Sequence, residues 1–314
     1  MRLLYIAHGG FGDVSFTTSW PQIWTNKGYI VDVFLMLYTG NPFHKNPYIK
    51  NMFISSNPAK DIDPFLEKDL YDKIVIIDNT NKGLKDVIDK IRHLKNALII
   101  KSLEIAKNDL IPPIAIPEWH FEPSELSYVN VNYPKEGVII HPFCSDFSEK
   151  SRNIDFALID ICSKYIRPII MVHGGIAYTK PFLEEMEKKK RIKLLWEGYN
   201  CFNDNNGSAI GKLIALVSTC SVSIHGWSGS YLIPVGLNKP FIVIVPENKV
   251  RNNKSSPYHN TKDLFMSQIN RLKKIGYEGP SAWCVTKNFN DIITAMNIVR
   301  QKKSCVYDGN WTFL

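Results

Sequence analysis

An acidic residue follows a glycine turn close to the start of the chain. An apolar strand predicted at 3–7 leads into Gly10 and Gly12, and Asp13 stands where a helix should begin. Glycines let the backbone approach a ligand closely. Enzymes of the α/β class hold their ligands at the edge of the sheet where the parallel strands end. A carboxylate at that edge can take a proton from a hydroxyl. We expect Asp13 to act as a general base, with a purely helix-capping role as the competing interpretation.

Two familiar glycine motifs fit this turn less well. Gly10 and Gly12 match the start of the dinucleotide-binding fingerprint, but Ser15 stands where its third glycine belongs. The acidic partner should close the second strand, whereas Asp32 lies inside it. The sequence contains no GxxxxGK(S/T) pattern, which excludes a P-loop. A nicotinamide oxidoreductase stays open as an alternative.

The chain alternates strands and helices twice. In the first half, strands are predicted at 3–7, 29–37, 73–78 and 97–101, and helices at 14–26 and 84–95. In the second half, strands are predicted at 138–141, 168–172, 192–196, 222–225 and 241–245, and helices at 156–165, 181–189, 210–217, 262–274 and 290–301. Apolar strands that alternate with helices are typical of parallel sheets covered on both faces. We therefore expect an α/β protein of two Rossmann-like, doubly wound domains that face a cleft.

The prolines between residues 111 and 133 predict an irregular stretch there, with a linker near 133–137. The predicted domains are accordingly 1–134 and 135–290. The remaining segment, 291–314, is predicted to be a C-terminal helix and tail that can return to the first domain.

The composition favours a folded protein of two domains over a membrane-spanning or secreted one. The 314 residues are 45% hydrophobic and 22% charged, as expected of a folded chain of two domains. The sequence shows no apolar run of transmembrane length, no leader pattern before the first strand, and no CxxC pair among its six cysteines. We expect a cytoplasmic protein with reduced thiols. The net charge of +8 favours an anionic partner.

The first half carries a series of motifs in a characteristic order. They are Gly12-Asp13-Val14, Thr17-Thr18, Pro21, Asn41-Pro42 and Asn46-Pro47-Tyr48-Ile49. This order resembles the opening of the heptosyltransferase family, which is inverting glycosyltransferase family nine.

The second half is similar to the same family. It follows the family's order of a strand, a phosphate loop with Lys150, a helix, and a strand that ends at His173-Gly174-Gly175. Ser228-Gly229 resembles the family's donor loop. Trp227 stands where the family has Asp, and Leu232 where it has His. The resemblance therefore does not specify which sugar donor is bound.

The resemblance implies an inverting glycosyltransferase of the GT-B fold. Domain 1–134 would bind the acceptor, with Asp13 as the general base, and domain 135–290 would bind the nucleotide-sugar donor. The sequence offers no DxD pair at a strand end for a metal ion, because Asp61-Ile62-Asp63 lies in a proline-bounded loop. We predict metal-independent transfer, with no metal ligands and no cofactor besides the donor substrate.

The candidate donor-binding residues are Gly10, Gly12, Lys150, His173, Glu197, Trp227, Ser228 and Gly229. Lys150, Ser228 and Gly229 would bind the diphosphate. Glu197 would bind ribose hydroxyls, and Trp227 would stack on the base or sugar. The competing interpretations are a surface lysine, a turn required by geometry alone and a packed tryptophan.

The acceptor stays open at this point. A basic chain suits a membrane-associated glycan such as lipopolysaccharide at the inner membrane face, which the resemblance implies, and equally DNA with hydroxymethylated bases. Trp119-His120-Phe121 are candidates for the acceptor wall, and the basic loop 249–254 for contact with an anion. His8 and His225 have no assigned role. A non-catalytic nucleotide-sugar-binding protein is a further alternative, and no obligate protein partner is indicated.

Overall fold

The computed structural model describes residues 1–9, 11–36, 41–67, 70–77, 84–100, 110–141, 156–166, 169–173, 180–198, 208–245 and 261–314. These residues form two compact units, unit 1 over Met1–His120 and unit 2 from Phe121 to Leu314. Each unit has its own sheet. None of the described helices is long and apolar enough to cross a membrane.

Unit 1 is built on a five-stranded parallel sheet. Its strands are β1 (Arg2–His8), β2 (Ile30–Met36), β3 (Ile49–Ser55), β4 (Lys73–Ile77) and β5 (Ala97–Ile100). Its helices are α1 (Phe11–Ser15), α2 (Trp20–Asn26), α3 (Pro58–Asp61) and α4 (Lys85–Ile91), with a 3-10 turn at Asp63–Phe65. The strand order is β3-β2-β1-β4-β5. The winding direction reverses between β1 and β4, which is where sheets of this class bind ligands.

The central strand β1 is buried on both faces. Tyr5 packs with Trp20 and Trp24 of α2 in the core on one face. Leu4 and Ile6 belong to a second core on the opposite face. Because successive strand residues point to opposite faces, a continuous apolar run marks a strand covered on both sides, as predicted.

The helix predicted at 14–26 is divided in two. The hydroxyls of Thr17 and Thr18 donate to backbone carbonyls three residues earlier, at 2.8 and 2.9 Å. Such side-chain bonds compete with the helical ladder. Pro21 lies in the first turn of α2, where its missing N–H has no helical partner to lose. The result is a short α1, a bonded turn and a separate α2.

A buried acid closes the amino edge of this sheet, the edge where the parallel strands begin. Asp32 Oδ2 accepts hydrogen bonds from Arg2 Nη2 at 2.8 Å and from the Tyr71 hydroxyl at 3.0 Å. Asp32 Oδ1 accepts from Asn51 Nδ2 at 2.9 Å. Burial is the main cause that raises the pKa of Tyr71. Asp32 therefore joins three strands and the segment before β4, and lies inside β2 as predicted.

Unit 2 contains an eight-stranded sheet. Its strands are β6 (Val138–His141), β7 (Ile169–His173), β8 (Lys193–Gly198), β9 (Val222–Gly226), β10 (Phe241–Ile244), β11 (Ser281–Cys284), β12 (Cys305–Tyr307) and β13 (Trp311–Phe313). Its helices are α5 (Pro123–Asn132), α6 (Phe156–Tyr165), α7 (Lys180–Lys188), α8 (Ser208–Thr219), α9 (Leu232–Gly236), α10 (Thr261–Lys274) and α11 (Phe289–Arg300), with a 3-10 turn at Gly229–Tyr231.

The order of the strands is β13-β12-β11-β10-β9-β6-β7-β8, and only β13 is antiparallel to its described neighbour. The winding direction reverses between β6 and β9, as it does between β1 and β4 in unit 1. Both described sheets are therefore Rossmann-like, which confirms the predicted fold class.

Helix α5 lies in the stretch that was expected to be irregular. Pro123 is its first residue, a position that tolerates proline. The backbone N–H of Glu122 donates to Glu125 Oε2 at 2.7 Å, completing a capping box. The proline-rich composition is therefore compatible with a helix start.

The unit boundary lies before α5, at Phe121, and not at residue 135. Helix α5 packs on α8, where a Cβ atom on Gly211 would overlap the Glu125 carboxylate. The segment 291–314 also belongs to unit 2, because α11 packs on β10 and β11 while β12 and β13 extend the sheet. This corrects the prediction that the segment returns to the first domain.

The described cysteines are packed thiols, as expected. Cys162, Cys220, Cys284 and Cys305 are buried and form no disulfide. Burial raises the pKa of the Cys162 thiol to about 12, which makes it unreactive. Cys144 and Cys201 lie outside the described residues.

Candidate functional site

The loop after β1 presents the predicted base. His8 ends the strand and is 2% exposed, and Gly9 follows with a φ of 130°, a conformation that favours glycine. Asp13 lies in the first turn of α1 and is exposed. The carboxylate thus lies at the carboxyl edge of the sheet, the edge where the parallel strands end, and not in the core. It is accessible to a substrate hydroxyl.

Two buried threonines hold the segment that carries Asp13 in place through hydrogen bonds. Thr17 Oγ1 accepts a hydrogen bond from the Tyr5 hydroxyl at 2.9 Å, which ties the turn to β1. Thr18 Oγ1 accepts from the backbone N–H of Glu118 at 2.8 Å. The Thr18 carbonyl accepts from Asn46 Nδ2 at 3.0 Å. Both threonines are buried, so their role in the motif is to fix the loop that carries Asp13.

The Asn-Pro element also has a positioning role. Asn41 Oδ1 accepts from the backbone N–H of Phe43 at 2.9 Å, and Asn46 Oδ1 accepts from that of Tyr48 at 3.1 Å. Both asparagines form side-chain turns that fold the loop after β2. Through Asn46 the loop is joined to Thr18 and hence to the Asp13 segment.

Glu118 and His120 form an acid–imidazole pair next to Thr18. Only one member of the pair was predicted from the sequence. Glu118 Oε1 is 3.6 Å from His120 Nε2. Burial raises the pKa of Glu118, and burial together with the nearby His44 lowers the pKa of His120. His120 was a candidate for the acceptor wall, whereas Glu118 was not. Its contact with Thr18 spans a hundred residues of chain, which no local pattern signals.

Two neighbouring strands of unit 2 carry stacked histidines at or near their carboxyl ends. His141 ends β6 and pairs in register with His225 near the end of β9. Their ring centroids lie 5.9 Å apart with an interplanar angle of 23°. Both are buried, and burial lowers the pKa of His225 to about 3. A neutral imidazole therefore lies at the reversal point of this sheet.

The loop after β9 holds the candidate donor residues. The Ser228 N–H donates to the Gly226 carbonyl at 2.7 Å, and Gly229 starts the 3-10 turn. Trp227, Ser228 and Gly229 are all partly exposed. Leu232 is 1% exposed and part of the core, so the change from the family's histidine removes a polar group from this position.

The other candidates are described in part or not at all. Gly12 lies in α1 next to Asp13 and is partly exposed. His173 ends β7 and Glu197 lies within β8 near its carboxyl end, but their side chains are outside the described part of the structure. Gly10, Lys150 and the loop 249–254 lie outside the described residues.

Comparison with known proteins identifies similar folds. No family model and no curated protein matches the sequence. The ADP-heptose lipopolysaccharide heptosyltransferase II of E. coli aligns with a TM-score of 0.56 at 14% identity, over 78% of this chain and 85% of that one. A glycosyl transferase of family 9 from Veillonella parvula DSM 2008 aligns with a TM-score of 0.59 at 11% identity, over 96% and 97%.

These two alignments cover most of each chain, and they confirm at the level of fold the likeness inferred from the sequence motifs. The chain has the two-domain Rossmann-like fold of these glycosyltransferases.

Proposed function

We propose that this protein is an inverting glycosyltransferase and a divergent member of glycosyltransferase family nine. It moves a sugar from a nucleotide-sugar donor to a hydroxyl group of an anionic acceptor. The acceptor oxygen attacks the anomeric carbon, the bond to the nucleoside diphosphate breaks, and the acceptor proton passes to Asp13.

The observation that carries the proposal is the placement of Asp13. It is exposed in the loop that follows the central strand of a Rossmann-like sheet, at the point where the winding reverses. Buried threonines anchor this loop on both sides. A base held in this way contributes about 10²–10⁴-fold to the rate of proton transfer.

The donor is assigned to unit 2. Ser228 and Gly229 follow β9 at the second reversal point and offer a hydroxyl and backbone N–H groups. Fixed donors of this kind stabilise the charge that develops on a leaving diphosphate. We assign no metal ligands, and the transfer proceeds through these donors alone.

The acceptor is assigned as an anionic glycan. The net charge of +8 favours an anionic partner, and the E. coli protein of similar fold is named a lipopolysaccharide heptosyltransferase. That enzyme is also named for ADP-heptose. Because Trp227 and Leu232 depart from the family's donor loop, we leave the sugar and the base of the nucleotide unspecified.

A thermal-shift panel with UDP, GDP, ADP, CDP and TDP tests the proposal. A ligand at 100 times its Kd stabilises a protein by about 2.7 kcal/mol, so one nucleotide should raise the melting temperature clearly above the others. NADH serves as the comparison ligand. Stabilisation by NADH and by none of the five diphosphates would refute a sugar transferase in favour of an oxidoreductase.

Two further results separate the remaining alternatives. Retention on DNA with a steep loss of affinity in salt would move the acceptor from a glycan to DNA. Nucleotide binding without release of diphosphate from any matching nucleotide sugar would indicate a non-catalytic binding protein.

A further inference from the structure

A chain of hydrogen-bonding side chains leads from the core of unit 2 to the Ser228 hydroxyl. His225 Nδ1 lies 2.9 Å from Ser230 Oγ, and Ser230 Oγ lies 2.7 Å from Ser228 Oγ. His225 and Ser230 are buried, whereas Ser228 is partly exposed. The chain therefore connects a buried imidazole with a hydroxyl that a ligand can reach.

The tautomer of His225 decides which directions this chain can take, because each serine hydroxyl has one proton to donate. With the ring proton on Nδ1, His225 donates to Ser230, and Ser230 keeps its own proton free to donate to Ser228. The Ser228 proton is then available to a ligand. With the ring proton on Nε2, Ser230 donates to the ring and Ser228 donates to Ser230. Ser228 then offers only lone pairs outward, which repel an anion.

The surroundings of the ring favour the proton on Nδ1. Burial lowers the pKa of His225 to about 3, so the ring is neutral and carries one proton at neutral pH. His225 Nε2 is buried and has no hydrogen-bond partner among the described residues. In protein backbones, buried N–H groups without a partner are rarer than under-satisfied carbonyl acceptors. By the same argument, Nε2 is better suited to a lone pair than to a proton. The His141 ring, stacked on His225, fixes the plane of the imidazole.

We propose that His225 is a positioning residue that, through its Nδ1–H tautomer, keeps the Ser228 hydroxyl proton available to a diphosphate oxygen of the donor. This inference rests on the proposed function and adds the residue that orients the donor loop. His225 itself does not touch the substrate. It acts through Ser230, and the neutral ring orients the chain without adding a charge to the core.

The tautomer is measured directly by nitrogen NMR of the full chain with isotope-labelled histidine. The His225 signals are assigned by their loss in His225→Asn. We expect the Nδ1–H tautomer in the ligand-free protein. An Nε2–H tautomer would overturn the inference, whether or not the protein binds a nucleotide.

Substitutions give a second readout that a purely structural role would not produce. Asn at position 225 places an amide N–H near the Nδ1 position, whereas Gln places it near Nε2. The affinity for inorganic pyrophosphate should stay within roughly threefold of wild type in His225→Asn. It should fall about 10- to 100-fold in His225→Gln, as expected for a lost hydrogen bond to a charged group. It should fall by less than about tenfold in Ser230→Ala, because Ser228 then loses a neutral neighbour but keeps its own proton for the ligand.

Ser223→Ala is the matched control for these variants. Ser223 lies on the same strand, is buried, and its Oγ has no hydrogen-bond partner among the described residues. Its loss should leave the affinity unchanged. Equal losses in the Asn and Gln variants would contradict the inference. If the wild type binds neither pyrophosphate nor any of the five diphosphates, the proposed donor site fails. Binding together with an Nε2–H tautomer would instead refute only the role of His225.

Discussion

The two sheets share a topology at their carboxyl edges and differ in chemistry. In unit 1 the winding reverses between β1 and β4, and the loop after β1 carries the exposed Asp13. In unit 2 it reverses between β6 and β9, where the strands end in the buried His141 and His225. The same backbone arrangement thus presents an exposed carboxyl group in one unit and buried imidazoles, with His225 neutral, in the other.

The difference agrees with the proposed roles of the two edges. A general base must be reached by the hydroxyl that it deprotonates, so its carboxylate lies at the surface of its unit. A diphosphate is stabilised best by rigid donors that need no reorganisation. A buried imidazole that stays neutral and two small hydroxyls provide such donors. In the proposed reaction, one fold would therefore support both halves of the transfer through different side chains.

The largest expected effect is at Asp13. Asp13→Asn should lower the rate of sugar transfer about 10²–10⁴-fold, because the amide cannot accept the proton. The loss of an acid from the first turn of α1 should change the unfolding free energy by less than about 1 kcal/mol. Turnover and chemical denaturation measure the two quantities.

Asp86→Asn is the matched control for Asp13. Asp86 is also an exposed acid in the first turn of a short helix of unit 1. It should show the same small change in stability and wild-type turnover. If both variants keep full turnover, Asp13 only caps its helix.

The second largest effect tests whether the amino edge of the unit 1 sheet is structural, in contrast to the carboxyl edge that carries Asp13. Asp32→Ala removes the acceptor for Arg2, Tyr71 and Asn51 at the amino edge and should lower the unfolding free energy by about 2–3 kcal/mol. The loss stays below that of a fully buried ion pair, because the Arg2 side chain is 42% exposed. Nucleotide affinity should not change. A large loss of affinity at native stability would show that the amino edge takes part in binding.

The pH dependence of the unfolding free energy tests the buried, neutral state of His225 at the carboxyl edge of the unit 2 sheet. Because the pKa of His225 is lowered from 6.5 to about 3 in the fold, the unfolded chain binds more protons between these values. The contribution of His225 to the unfolding free energy is therefore fully present above about pH 6.5 and is lost as the pH drops toward 3. Between about pH 7.5 and pH 5 this group should account for a loss of about 2 kcal/mol.

His225→Phe, which keeps a ring against His141, should lack this part of the pH dependence whatever its stability at neutral pH. Denaturation curves at both pH values measure the slope for each protein. An equal slope in the two proteins would mean that His225 is not the buried neutral group described here.

The smallest effect is expected at Glu118. Burial raises its pKa, so the folded state loses stability as the pH rises through the carboxyl range. Glu118→Gln removes this charge and should raise stability by up to about 1 kcal/mol at neutral pH. Melting temperatures at pH 4 and about pH 7 would show the gain only at the higher value. A marked destabilisation would indicate a structural ion pair with His120.

Local patterns predicted much of the fold. The apolar run of β6 and the helix α6 were predicted with the observed bounds. Helix α5 was missed because its prolines were interpreted as breakers, although Glu122 and Glu125 form a capping pattern around Pro123. Strand β11 was missed because it has few β-branched residues and is held by pairing with β10 and β12.

The candidate site was predictable to a different extent in the two units. Asp13 follows a glycine turn and stands out in the sequence. The role of Thr18 depends on bonds to Asn46 and Glu118, and contacts between such distant parts of the chain leave no periodic signal. His225 was identified as a strand-end histidine, but its bond to Ser230 depends on how the loop after β9 folds.

The most direct test of the division between the two units is the affinity for the nucleoside diphosphate identified by the thermal-shift panel, measured in Asp13→Asn and in Ser228→Ala. We predict wild-type affinity in Asp13→Asn and a loss of about 10- to 100-fold in Ser228→Ala. Wild-type affinity in Ser228→Ala together with lost affinity in Asp13→Asn would contradict the account, because the donor would then depend on unit 1.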